Sequence, residues 1–166
     1  MIEIPIDIDF IDGDGCHITV NVLLNDTETG LFIIDTGASK TVLDKELTEH
    51  LLQPISQEEL DEEVNQSLIE RLTPEQKKEL GLEGESVVSV GVGPGKIDFN
   101  FGILQKLSMG SFSTTNFHVA YIDLSNVNNL YDALGKPKIW GLLGGDFLLE
   151  HHAIIDYKQR KMFLSE

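Results

Sequence analysis

Leu31-Phe32-Ile33-Ile34 is an unbroken apolar run that ends in an acid, Asp35, with Thr36, Gly37, Ala38 and Ser39 directly behind it. A strand with no polar face must be covered on both sides, as in the interior of a sheet. The acid at its end is then carried toward the interior, where an isolated carboxylate is costly and needs compensating donors. Gly37 lets another backbone approach closely and can offer its N–H to the carboxylate. Thr36 can hydrogen-bond locally or across an interface. A carboxyl held this way suits acid–base chemistry. It suits equally a plain strand-to-turn cap, and the triplet alone does not separate the two.

The flanking sequence alternates between strand and helix textures. Ile2, Ile4, Ile6, Ile8 and Phe10 alternate with polar or acidic residues and predict one half-buried strand. Asp12-Gly13-Asp14-Gly15 predicts a turn, residues 17–24 a strand, and Asn25-Asp26 with Thr29-Gly30 another turn. Residues 45–85 read as an acidic helical insertion. Ser56 and Glu59 have capping-box spacing, and Leu60, Val64, Leu68 and Leu72 form one narrow stripe. Pro74 opens a second helix and Gly81 is its stop. A solvated surface, a lid and a partner-docking face all fit this stretch.

Beyond it, residues 87–92 and 97–101 flank Gly93-Pro94-Gly95-Lys96, a hairpin signature. Residues 104–109 and 117–122, with Phe112, continue the β pattern, and residues 126–137 read as a loop. Residues 139–149 are strongly apolar around Gly141, Gly144 and Gly145. Residues 153–157 and 161–164 predict a closing hairpin. There is no tandem repeat in the sequence.

The length of 166 residues favours one domain, residues 1–166, large enough for a core without disulfides. Cys16 is the sole cysteine, so no intrachain disulfide is possible. It adjoins His17, but neighbours on a strand face opposite ways, so Cys16 reads as a packing residue. With 28 acidic against 12 basic residues the formal charge is −16. Such a surface repels phosphate backbones and anionic lipid, so neither nucleic acid nor a membrane is an expected partner. Residues 1–10 lack a basic start, and no apolar run approaches the roughly 20 residues that span a bilayer. A cytoplasmic location is expected, unless a leader has been removed.

A second motif changes the weight of the first. Ile139-Trp140-Gly141-Leu142-Leu143-Gly144-Gly145-Asp146-Phe147-Leu148-Leu149 is followed by Ala153-Ile154-Ile155-Asp156-Tyr157. Taken with Asp35-Thr36-Gly37-Ala38, this resembles the retropepsin-like aspartic proteases of the cellular and bacterial, single-domain type. In that family an apolar strand ends in Asp-Thr/Ser-Gly-Ala/Ser, and a hydrophobic-hydrophobic-Gly segment follows much later, leading into a short helix. The resemblance runs in order from about Cys16 to Leu164. It implies a mainly β, closed-barrel acid-protease fold that pairs two ψ-shaped loops about a local two-fold axis.

It also implies a function: an aspartic endopeptidase, a hydrolase with Asp35 as catalytic residue and Thr36, Gly37, Ala38 and Ser39 in support. The family carries one Asp-Thr-Gly per chain, and this chain has no second one. The expected active form is therefore a homodimer acting on a peptide or protein substrate, without metal or cofactor. The family closes a flap over its substrate, and the candidate is the hairpin of residues 87–101, with Gly91, Gly93 and Gly95 near its tip; an ordinary surface hairpin fits as well. Asp146 and Asp156 match structural positions. Trp140 and Phe147 are expected in the core and His151-His152 in a turn. Ser39 departs from the viral pattern, which has Asp there to bind substrate backbone. The competing function is a catalytically silent binding or dimerisation module on the same fold.

Overall fold

The computed structural model describes residues 1–55, 59, 73–75 and 100–165. Of the expected helical insertion, Lys45–Thr48, Pro74 and Glu75 are helical, but Leu52–Pro54 is instead a strand paired with residues 102–104, and most of the rest, including Ser56 and Gly81, lies outside the described residues. The hairpin tip with Gly91, Gly93 and Gly95 also lies outside them.

The first half contributes β1 (Ile2–Pro5), β2 (Asp7–Asp12), β3 (Gly15–Leu24), β4 (Glu28–Ile34) and β5 (Val42–Asp44). A short helix α1 (Lys45–Thr48), a 3₁₀ turn and β6 (Leu52–Pro54) follow. The second half contributes β7 (Asn100–Met109), β8 (Phe112–Ile122), α2 (Ser125–Ala133), β9 (Ile139–Leu143), α3 (Gly145–Glu150), β10 (Ile154–Asp156) and β11 (Lys161–Leu164).

The larger sheet runs β2-β3-β4-β9-β5-β8-β7-β6, and an added β3–β7 pairing closes six of its strands into a barrel. The fold is mainly β. Phe32, Val22, Leu24, Leu104, Leu107 and Leu143 are fully buried in one cluster that fills the barrel.

Two consecutive-strand pairs interlock at its centre. β9 inserts between β4 and β5, parallel to the former and antiparallel to the latter. β5 in turn inserts between β9 and β8, parallel to β8. These are the two ψ-shaped loops the resemblance implies, each supplying the other's middle strand. The β3–β4–β5–α1 succession repeats as β7–β8–β9–α3 without any repeat in the sequence. As expected, β4 is central and covered, with Phe32, Ile33 and Ile34 all buried.

Several local expectations change. The alternating stretch from Ile2 to Phe10 is two strands: β1 joins β10 and β11 in a second sheet, and β2 joins β3. Between them the Ile6 N–H bonds the Arg160 carbonyl at 3.1 Å. Alternation reports which face is buried, not which sheet a strand joins. Ile4 and Ile6 are core, whereas Phe10 is 58% exposed.

Thr29 and Gly30 lie inside β4 and do not turn. Gly30 is glycine because a Cβ there would sit 2.4 Å from the Trp140 ring. The turn is made by Asn25, Asp26 and Thr27 between the paired Leu24 and Glu28, with Asn25 and Asp26 at positive φ and the Thr27 N–H donating to the Leu24 carbonyl at 2.9 Å.

The expected loop at residues 126–137 contains α2. Its Asn-rich sequence has weak helix propensity, and packing overrides it. Tyr131 is fully buried against Ile33 and Ile139, and Asn128 bonds both the N–H and the carbonyl of Ile139 at 2.7 and 3.0 Å. The closing hairpin is β10–β11 as expected, and Asp156 is structural. The Gln159 backbone N–H holds its carboxyl below the usual range and shapes the turn. Phe147 is fully buried and Trp140 packs half-buried on the core. Both histidines follow α3 in the turn, but only His152, at φ +48°, is a plain turn residue. The His151 ring is buried between Phe112 and Phe147, at 4.8 and 4.7 Å.

Candidate active site

Asp35 leaves the barrel directly after β4. Its own N–H bonds the Leu143 carbonyl at 3.0 Å, so the first motif is pinned to the second at the first residue past the strand. The Gly37 N–H donates to Asp35 Oδ1 at 2.9 Å, and the Ala38 N–H donates to the Asp35 carbonyl at 3.2 Å. Gly37 is thus the donor anticipated from sequence. A Cβ on it would lie 3.2 Å from Asp35 Oδ1, so the close turn around the carboxyl favours glycine.

The carboxyl is less enclosed than an apolar strand alone suggested. Within one chain Asp35 and Ala38 are half-buried, and Thr36, Gly37 and Ser39 are exposed. The physical reason is position: the strand's apolar residues end at Ile34, and the loop emerges at the barrel rim, where one side has no further sheet.

The loop returns to β5 through Lys40 and Thr41, and the β9–α3 junction holds it along its length. The Ala38 carbonyl accepts from the Gly145 N–H at 2.7 Å, and the Ser39 carbonyl from the Asp146 N–H at 3.2 Å. Asp146 Oδ1 accepts three bonds, each 2.8 Å long, from the Thr41 N–H, the Thr41 hydroxyl and the Phe147 N–H. The Gly144 N–H donates to Thr41 Oγ1 at 3.1 Å. Gly144 also has no room for a side chain, since a Cβ would lie 2.4 Å from the Lys40 backbone. Leu142-Leu143-Gly144 and Asp35-Thr36-Gly37 are therefore joined in space. Thr41, completely buried, is the residue sequence reasoning missed; a lone Thr at the start of a short strand carries no signal of a partner 105 positions away.

The repeat of the ψ loop places a different acid at the corresponding point after β8. There Asp123 Oδ1 accepts the Ser125 N–H at 2.7 Å, which holds its exposed carboxyl below the usual range. β4 and β8 belong to oppositely directed parallel pairs. Asp35 and Asp123 therefore leave the barrel in opposite directions and cannot share a site within one chain.

Among the described residues, no group of three or more His, Cys, Asp or Glu side chains could hold a metal ion, and no helix is long and apolar enough to cross a membrane. A cleft of ≈ 560 Å³ lined by Asn25, His50, Leu52, Gln105 and Lys106 lies apart from Asp35.

No known family's sequence model matches the chain, and no curated protein sequence matches it. Its fold is similar to that of a retropepsin-like aspartic protease from Rickettsia conorii, with a TM-score of 0.48 and 17% identity over 98% of this chain and 88% of that one. It is also similar to the retroviral protease-like domain of Ddi1 from Leishmania major, with a TM-score of 0.45 and 15% identity over 88% of this chain and 86% of that one.

Proposed function

We propose that the chain is an aspartic endopeptidase whose active site forms between two copies, each contributing Asp35. The observation that carries this reading is the seating of Asp35: an acid at a barrel rim, with the Gly37 N–H on its carboxylate and its backbone bonded to Leu143 of the second motif. The half-exposed carboxyl supports a partner copy, because a second carboxyl needs access to it. The opposite placement of Asp123 supports the same conclusion.

In this mechanism two Asp35 carboxyls about 3 Å apart cannot both ionise, so they share one proton. The ionised one takes a proton from a bound water as the water oxygen attacks the scissile carbonyl carbon. The protonated one hydrogen-bonds the carbonyl oxygen as that oxygen gains charge. Collapse of the tetrahedral intermediate breaks the C–N bond, and a carboxyl returns a proton to the leaving amine. The two titrations belong to the pair. Thr36 and Ser39, exposed beside the carboxyl, supply hydroxyls toward the partner copy or the peptide.

The test is cleavage of a diverse peptide library by the parent protein and by Asp35→Asn. Asn keeps the volume and cannot serve as base, so the variant is expected to fold and to cut nothing. An Asp35→Asn protein that cuts like the parent removes Asp35 from the chemistry. A folded parent that cuts no peptide favours the silent binding module.

A further inference from the structure

We propose that Asp146 is the positioning residue of the Asp35 loop, the clasp that fixes where the carboxyl stands; this deepens the protease reading, and its kinetic consequence rests on that reading. Residues 35–41 have no regular structure of their own, so their shape is set by what they bond. Among the described residues, Asp146 is the one side chain of α3 that hydrogen-bonds this loop, and its Oδ1 gathers three donors. Two belong to Thr41, at the far end of the loop from Asp35. Thr41 is fully buried, and its hydroxyl both donates to Asp146 and accepts from Gly144. Removing the carboxylate therefore strands a buried N–H and a buried hydroxyl together. The loop would then lose its only carboxylate anchor among the described residues and keep the two backbone bonds from Gly145 and Asp146, the Gly144 N–H on the Thr41 hydroxyl and the Ala120 N–H on the Thr41 carbonyl.

The fold contains its own control. At the opposite ψ junction Asp44, 4% exposed, accepts the Leu47 N–H on Oδ1 at 3.0 Å and the Leu124 N–H on Oδ2 at 3.1 Å. A carboxylate at the foot of a helix again ties down the loop after the neighbouring strand, but that loop has no Asp-Thr-Gly. Both acids support the fold; Asp146 alone bears on Asp35. Displacing a catalytic group by about 1 Å can cost on the order of a hundredfold in rate, so the clasp is expected to act on turnover more than on substrate binding.

The experiment compares Asp146→Ala, Asp146→Asn and Asp44→Asn with the parent by residue-resolved amide exchange and by steady-state kinetics. In Asp146→Ala the amides of Asp35 and Ala38, neither of which touches Asp146, should exchange roughly tenfold faster or more, while barrel amides such as Val20 keep their rates. Its kcat should fall about tenfold or more, with KM within about twofold. Asp146→Asn should restore both readouts, because the amide oxygen can accept the same three donors. Asp44→Asn should lower Tm and leave Asp35 and Ala38 exchange unchanged. Should Asp146→Ala not fold, Thr41→Val removes the hydroxyl at constant volume and should quicken the same amides. Unchanged exchange at Asp35 and Ala38, or an equal effect from Asp44→Asn, overturns the proposal. A parent that cleaves nothing overturns the protease reading instead, and the exchange data still decide the role of Asp146.

Discussion

At the scale of single residues, the chain concentrates its constraint where the two motifs touch. Gly144→Ala puts a methyl 2.4 Å from the Lys40 carbonyl, where only backbone could yield. The expected loss is about 1–3 kcal/mol in urea unfolding, and a loss near zero would mean the junction is looser than described. Tyr131 gives a second residue-level prediction. Burial, and then the nearby charge of Asp9, push its phenol up to about 12. A raised folded-state value means the folded protein holds the proton more tightly. Tyr131's contribution is therefore intact below the ordinary value near 10 and is lost as pH rises from there to about 12. Ultraviolet titration should show a late tyrosine transition that is absent in Tyr131→Phe. Asp35, Gly37 and the buried β4 were legible in the sequence because their signal is local: an apolar run, an acid, a glycine. Thr41 was not legible, because its role depends on a partner far away in the chain.

At the scale of elements, legibility followed contact range. β3, β7, β8 and the β10–β11 hairpin stand out from alternation and turn residues, and each pairs with a near neighbour in sequence. The β9–β5 crossing does not stand out, since nothing in either strand specifies its partner. α2 was hidden for the complementary reason. Its helix-poor composition is outweighed by Tyr131 packing and by Asn128, whose side chain imitates a neighbouring strand at Ile139. Asn128→Ala removes both bonds, so it should cost about 1–3 kcal/mol and speed exchange along α2 before the barrel opens. Unchanged α2 protection would mean that Tyr131 alone docks the helix. The resemblance supplied what periodicity could not, the interlocked ψ loops, and those are what bring residues 35–37 to residues 142–144.

At the scale of the whole molecule, the proposed enzyme is two chains, each with a formal charge of −16. Their mutual repulsion opposes assembly and is screened by salt, the Debye length falling from about 8 Å at physiological ionic strength to about 3 Å at 1 M. Sedimentation should therefore show tighter dimers at high salt, with activity rising in parallel; activity that persists in a monomer contradicts the shared site. The most direct measurement is the stoichiometry with which a statine-type, transition-state-mimicking peptide binds, read by titration calorimetry on the parent protein. Two Asp35 carboxyls meeting at one site predict one inhibitor for every two chains, with binding abolished in Asp35→Asn. One inhibitor per chain, or binding that survives Asp35→Asn, would contradict it.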